Sequence, residues 1–144
     1  MNTCSVDVCV KRPSICLVDD DKLMLALFSR VIKRTGCEVV TACGPEAAEI
    51  VLASTHVDIL ISDLRMPTAL EGEKFLSLVN DSYPSVPVWI MSSDFTGDTR
   101  ERLIDAGAVE CILKPFTVDT IGNLIDAVSG QVESTHFNTR KRLL

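Results

Sequence analysis

Five short apolar runs punctuate the chain: Ile15 to Val18, Val39 to Ala42, Ile59 to Ile61, Val86 to Met91 and Cys111 to Leu113. Their brevity and branched side chains suit strands buried on both faces, as in a parallel sheet. Segments with helical spacing lie between them. Met24, Leu27, Phe28, Val31 and Ile32 form one apolar stripe, and Val118, Ile121, Leu124, Ile125 and Val128 form another. The first helix is predicted to stop near Gly36 and the fourth near Gly107, because glycine takes the left-handed C′ conformation without a Cβ clash. Pro84 and Pro87 bracket the start of the fourth strand. The fourth helical segment, Asp98 to Ala106, has an apolar face of little more than Leu103 and Ile104, so it is expected to be the least firmly docked element. Strand and helix alternate five times without an internal repeat. The pattern predicts an α/β protein with a parallel sheet, right-handed crossovers and helices on both faces.

Composition narrows the class. The 144 residues suit one domain, and 47% hydrophobic with 24% charged residues is a globular balance rather than a disordered one. A net charge of −6 argues against nucleic-acid binding through a general electrostatic field. The basic cluster Arg140, Lys141 and Arg142 reads as a solvated tail or the start of a linker. Cys4, Cys9, Cys16, Cys37, Cys43 and Cys111 include no C-x-x-C pair, and reduced, buried thiols in a cytoplasmic protein are expected. Neither a signal-peptide h-region nor a membrane-length apolar stretch is present, so no membrane association is expected.

The polar residues that follow the strands carry the chemistry. Val18 precedes Asp19, Asp20 and Asp21; Ile61 precedes Ser62 and Asp63; Met91 precedes Ser92 and Ser93; Leu113 precedes Lys114. In an open parallel α/β sheet, ligands bind outside the carboxyl ends of the strands, so these groups should converge in one crevice. Crowded carboxylates repel one another unless a cation compensates, and an all-oxygen set with few protein ligands suits Mg²⁺. Lys114 offers a compact positive charge and Ser92 a hydroxyl for a phosphoryl oxygen. The set is suited to phosphoryl transfer onto a carboxylate. Singly, each residue has an ordinary explanation: Asp21 as a helix N-cap, Lys114 as a solvated lysine, Ser92 and Ser93 as a turn. Their joint occurrence at four strand ends favours the chemical reading.

These motifs resemble those of the response-regulator receiver family, from about Ser14 to Val128. In Leu17-Val18-Asp19-Asp20-Asp21 the resemblance makes Asp19 and Asp20 metal ligands. Asp63-Leu64-Arg65-Met66-Pro67 is similar to the phospho-acceptor segment, which makes Asp63 the acceptor and a metal ligand, and the backbone carbonyl of Arg65 the third protein ligand of Mg²⁺. Ser92 matches the switch hydroxyl, and Lys114-Pro115-Phe116 the lysine-proline motif. The resemblance further implies a flavodoxin-like, doubly wound sheet of five strands in the order 2-1-3-4-5 with five helices, and a cis Lys114-Pro115 peptide. Three departures stand out. Thr68-Ala69-Leu70-Glu71-Gly72 is one residue longer than the family's usual turn; Arg65 and Asp94 hold positions where variation is expected to set phosphoryl lifetime; Cys111 replaces a common aromatic.

The expected organisation is an N-terminal extension at 1–13, a receiver domain at 14–130, and a tail or start of a linker at 131–144. The expected function is that of a signalling domain, not an enzyme beyond its own phosphorylation and dephosphorylation. A sensor histidine kinase or phosphotransfer protein would phosphorylate it, and a downstream protein target or fused output domain would read it, with no direct nucleic-acid contact. Whether the chain is a stand-alone regulator or part of a longer protein stays open. A pseudo-receiver that binds without phosphorylation is disfavoured by the complete residue set. A phosphatase with an aspartyl intermediate is disfavoured because Asp63-Leu64-Arg65 lacks the Asp-x-Asp pair.

Overall fold

The structure, a computed structural model, describes residues 12–128. The expected tail at 131–144, the Arg140–Arg142 cluster and most of the expected N-terminal extension lie outside these residues. Strands β1 (Ser14–Asp19), β2 (Glu38–Cys43), β3 (Ile59–Asp63), β4 (Val88–Ser92) and β5 (Ala108–Leu113) alternate with α1 (Lys22–Lys33), α2 (Pro45–Ser54), α3 (Ala69–Ser82) and α4 (Thr99–Asp105). A fifth helix, α5, runs over 118–128. The strands are parallel in the order β2-β1-β3-β4-β5, the doubly wound arrangement.

Strand alternation divides the core into two layers. Ile15, Leu17, Ile59, Ile61, Trp89, Met91 and Ile112 face one side and pack with Leu25, Phe28 and Ile32 of α1 and Ile121 and Ile125 of α5. Cys16, Val18, Leu60, Val88, Ile90 and Cys111 face the other and meet Leu52 of α2, Phe75, Leu76 and Val79 of α3, and Leu103 of α4.

Several local expectations change. The buried stripe of α1 is Leu25, Phe28, Ser29 and Ile32, whereas Leu27 is 48% exposed. A run as apolar as Leu23 to Phe28 offers more than one helical face, and the crossing direction of the helix selects among them. The fourth strand starts at Val88 rather than Val86, and the fifth reaches back to Ala108. Strand β2 is not buried on both faces: as an edge strand it leaves Val40, Thr41 and Cys43 exposed. Among the described residues Cys43 is therefore the exception to the expectation of buried thiols; Cys16, Cys37 and Cys111 are buried, all four are free, and Cys4 and Cys9 lie outside the described residues. Ile104 is exposed, so Leu103 alone anchors the apolar face of α4. Gly36 and Gly107 follow α1 and α4 with positive φ, and Lys114-Pro115 is cis, as expected; Met66-Pro67 is cis too.

Candidate functional site

Each site residue sits where its strand runs out of ladder partners at the carboxyl edge of the sheet. Asp19 and Asp63 end β1 and β3, which are adjacent, and Ser92 ends β4. Asp20 and Asp21 follow β1, and Asp21 caps α1 as expected by accepting the Leu23 and Met24 N–H groups at 2.9 and 3.3 Å. Lys114 follows β5, its backbone N–H donating to the Ser92 carbonyl at 2.8 Å.

These elements gather four charged groups. One carboxylate oxygen from each of Asp19, Asp20 and Asp63 lies within 4.8 Å of the others. The Lys114 ammonium is 3.0 Å from Asp63 Oδ1 and 3.8 Å from Asp19 Oδ2. It also lies 5.8 Å from the centre of the Phe28 ring, which stacks on Phe116. Phe28 was legible as a core residue, but its position beneath the lysine depends on packing between α1 and the segment after β5.

The electrostatics follow from burial. Asp19 is 1% exposed and its pKa is pushed up to about 6, first by desolvation, with repulsion from Asp63 and Asp20 adding to it; the Asp21 N–H, donating at 3.0 Å to Oδ1, works in the opposite direction. Burial likewise raises Asp63, against the hydrogen bond and charge of Lys114. Asp19 Oδ2 is buried without a hydrogen-bond partner. An orphaned carboxylate oxygen beside two further carboxylates is a donor set that fits a hard divalent cation, so the cluster could hold a metal ion.

The remaining residues frame the mouth. Ser92 is buried, and its hydroxyl oxygen accepts the Asp94 N–H at 3.4 Å, which ties it to its own loop rather than to the carboxylates. Arg65 and Asp94 approach to 3.7 Å, joining the loops after β3 and β4. In Thr68-Ala69-Leu70-Glu71-Gly72, Thr68 stands at the N-cap position of α3, its hydroxyl donates to the Glu71 carboxylate, and the other residues form the first helical turn.

A doubly wound parallel sheet with an acidic pocket and a lysine at its carboxyl edge is the arrangement of a receiver-type module. The family model of the response regulator receiver domain matches residues 15–126, and the chain belongs to that family, the receiver domain of two-component response regulators. It is 31% identical over 113 residues to the transcriptional regulatory protein PrrA of Mycobacterium leprae, covering 78% of this chain and 48% of that protein. It is 28% identical over 135 residues to the DNA-binding transcriptional regulator NtrC of Proteus hauseri, covering 92% of this chain and 27% of that protein. The chain thus spans about a quarter to a half of these relatives. The expectation of no direct nucleic-acid contact does not extend to longer proteins of this kind, since NtrC is named for DNA binding. Among solved structures, a CheY-like receiver domain protein from Methanospirillum hungatei has a TM-score of 0.75 at 19% identity, covering 87% of this chain and 99% of that one. The chemotaxis protein CheY4 of Vibrio cholerae has a TM-score of 0.72 at 24% identity, covering 81% and 98%. Both likenesses concern the fold.

Proposed function

We propose that this chain is a phospho-accepting switch in which Asp63 receives a phosphoryl group from a sensor histidine kinase or phosphotransfer protein. The observation that carries the reading is the convergence of Asp19, Asp20 and Asp63 around the Lys114 ammonium. A carboxylate oxygen of Asp63 attacks phosphorus, the phosphorus–nitrogen bond of the donor phosphohistidine breaks, and the donor imidazole leaves with the bonding pair. Asp19, Asp20, Asp63 and the backbone carbonyl of Arg65 would hold Mg²⁺, which neutralises charge on the phosphoryl oxygens when bound. Lys114 supplies a second positive charge to those oxygens, and the Ser92 hydroxyl donates to one of them once its loop moves inward. Asp63 is the nucleophile, and Asp20 is the exposed one of the three carboxylates.

The same reading makes 14–130 the receiver unit, 1–13 an extension and 131–144 a tail or start of a linker. It assigns the protein to the cytoplasm. No helix among the described residues is long and apolar enough to cross a membrane. The modified surface acts on a downstream protein target or a fused output domain, and any DNA contact belongs to the output portion of a longer protein. Intact mass after acetyl phosphate and Mg²⁺ treatment tests the central step. One phosphoryl adduct is expected, lost in Asp63→Asn with the fold intact; undiminished labelling of that variant at the same site would overturn the acceptor assignment.

A further inference from the structure

Gly72 lies within α3 and is buried, although glycine is the poorest helix former after proline. Its backbone does not explain the choice, because the positive-φ glycines are Gly36, Gly44, Gly97 and Gly107. Space does. A Cβ built at Gly72 would collide with the Leu64 carbonyl oxygen and stand 2.6 Å from the Leu64 carbonyl carbon and 2.8 Å from its Cα. These are backbone atoms that no rotamer change can move aside.

Leu64 directly follows Asp63 and precedes Arg65. Its N–H donates to the Met91 carbonyl at 2.9 Å, and its side chain is buried. The Leu64 backbone is thus held between β4 on one side and the first turn of α3 on the other. That turn is anchored through Phe75, Leu76 and Val79, which are buried in the core. A methyl group at Gly72 forces one of two displacements: α3 lifts away from the sheet with its buried side chains, or the Leu64–Arg65 peptide rotates. Arg65 is exposed between buried Leu64 and Met66, so the Leu64–Arg65 peptide is the part of the loop with room to turn.

We propose that Gly72 is a positioning residue for the metal site: by letting α3 press directly on the Leu64 backbone, it holds the Leu64–Arg65 peptide and thereby sets the direction of the following Arg65–Met66 peptide, so that the Arg65 carbonyl can join Asp19, Asp20 and Asp63. The proposal rests on the metal-binding reading above. It assigns a binding role to a residue that touches neither metal nor phosphoryl group.

The test is calorimetric titration of the full chain with MgCl₂ in the absence of phosphodonor, comparing Gly72→Ala with Gly107→Ala. An alanine at Gly107 meets the Asn80 side chain and takes on a left-handed φ of 114°, so it strains the fold before β5, at the opposite end of the sheet from the carboxylates. Gly72→Ala is expected to bind Mg²⁺ about tenfold or more weakly, the usual penalty for losing a group that orients a ligand. Gly107→Ala should keep the parent affinity despite its lower stability. In the parent protein, Mg²⁺ should shift the backbone amide signal of Gly72 and leave that of Gly107 in place, a measurement that decides the matter alone if Gly72→Ala does not fold. Parent affinity in folded Gly72→Ala, equal weakening in both variants, or a silent Gly72 amide overturns the proposal. Absence of Mg²⁺ binding by the parent itself overturns the metal reading beneath it.

Discussion

Asp19 is the residue in which burial and charge conflict most. Its pKa is near 6 in the folded chain against 3.8 in the absence of the fold, so between these values the folded state keeps a proton that the unfolded state has released. Stability from this group is therefore fully present below about pH 4 and declines as pH rises to about 6, by roughly 2–3 kcal/mol in the metal-free protein. Asp19→Asn carries no charge to desolvate. Its stability relative to the parent should rise across that window in EDTA, measured by urea denaturation at several pH values; a constant difference would contradict the assignment. On the proposed reading protons and Mg²⁺ compete for the same oxygens, so apparent Mg²⁺ affinity should increase over the same range. Arg65 and Asp94 act differently. Both side chains are about half exposed, and such a pair contributes only ~0–1 kcal/mol. The pair spans the mouth, so its effect is expected on water access: replacing both with alanine should shorten the phosphoryl lifetime on Asp63, and an unchanged or longer lifetime would count against a shielding role.

Among the elements, α4 is the one whose docking was only partly legible. Its apolar anchor is Leu103, and polar contacts supply the rest: Arg102 pairs with Glu73 of α3 at 2.9 Å, and Asn80 of α3 donates to the Ala106 carbonyl at 2.6 Å. On the other flank, Arg100 lies 4.9 Å from the centre of the Phe95 ring and donates to the Cys111 carbonyl at 3.1 Å. Cys111 is a small buried group, as expected, and its backbone carbonyl accepts from Arg100 of α4. Phosphorylation adds roughly −1.5 to −2 charges at the strand ends. Movement of the loop after Ser92 carries Phe95, and Arg100 connects that loop to β5. Beryllofluoride with Mg²⁺, a phosphoryl mimic, is thus expected to change amide signals from Ser92 to Ala106. Cys111→Ala should largely preserve this response. Arg100→Ala should retain it near Ser92 and weaken it along β5. Loss of the whole response in folded Cys111→Ala would make the thiol part of the switch.

At the scale of the molecule, the two core layers share one sheet, so loss of either exposes the other and a single cooperative transition is expected. Trp89, the single tryptophan, is fully buried in the layer beneath α1 and α5 and reports on that transition by fluorescence. On the proposed reading Mg²⁺ binds only the folded arrangement of Asp19, Asp20 and Asp63, and at a hundredfold excess over its Kd it should add about 2.7 kcal/mol to stability. Asp20→Asn should lose most of that gain; an unchanged gain would remove Asp20 from the ligand set.

The sequence by itself determined the alternation of strands and helices, because short continuous apolar runs mark strands buried on both faces and near-3.6 spacing marks helices, local patterns that a one-dimensional reading captures. It also determined which polar residues end the strands, and hence the candidate site of Asp19, Asp20, Asp63, Ser92 and Lys114. Their resemblance to a known family supplied the strand order. Tertiary structure decided which face of α1 is buried, since Leu25 and Leu27 are equally apolar and only the angle of the helix across the sheet separates them. It decided that β2 lies at an edge and leaves Cys43 exposed. It also decided the contacts of Gly72 with Leu64 and of Arg100 with Phe95 and Cys111. Close approach between chain segments depends on how helices settle on a twisted sheet, and no periodicity along the chain encodes that distance.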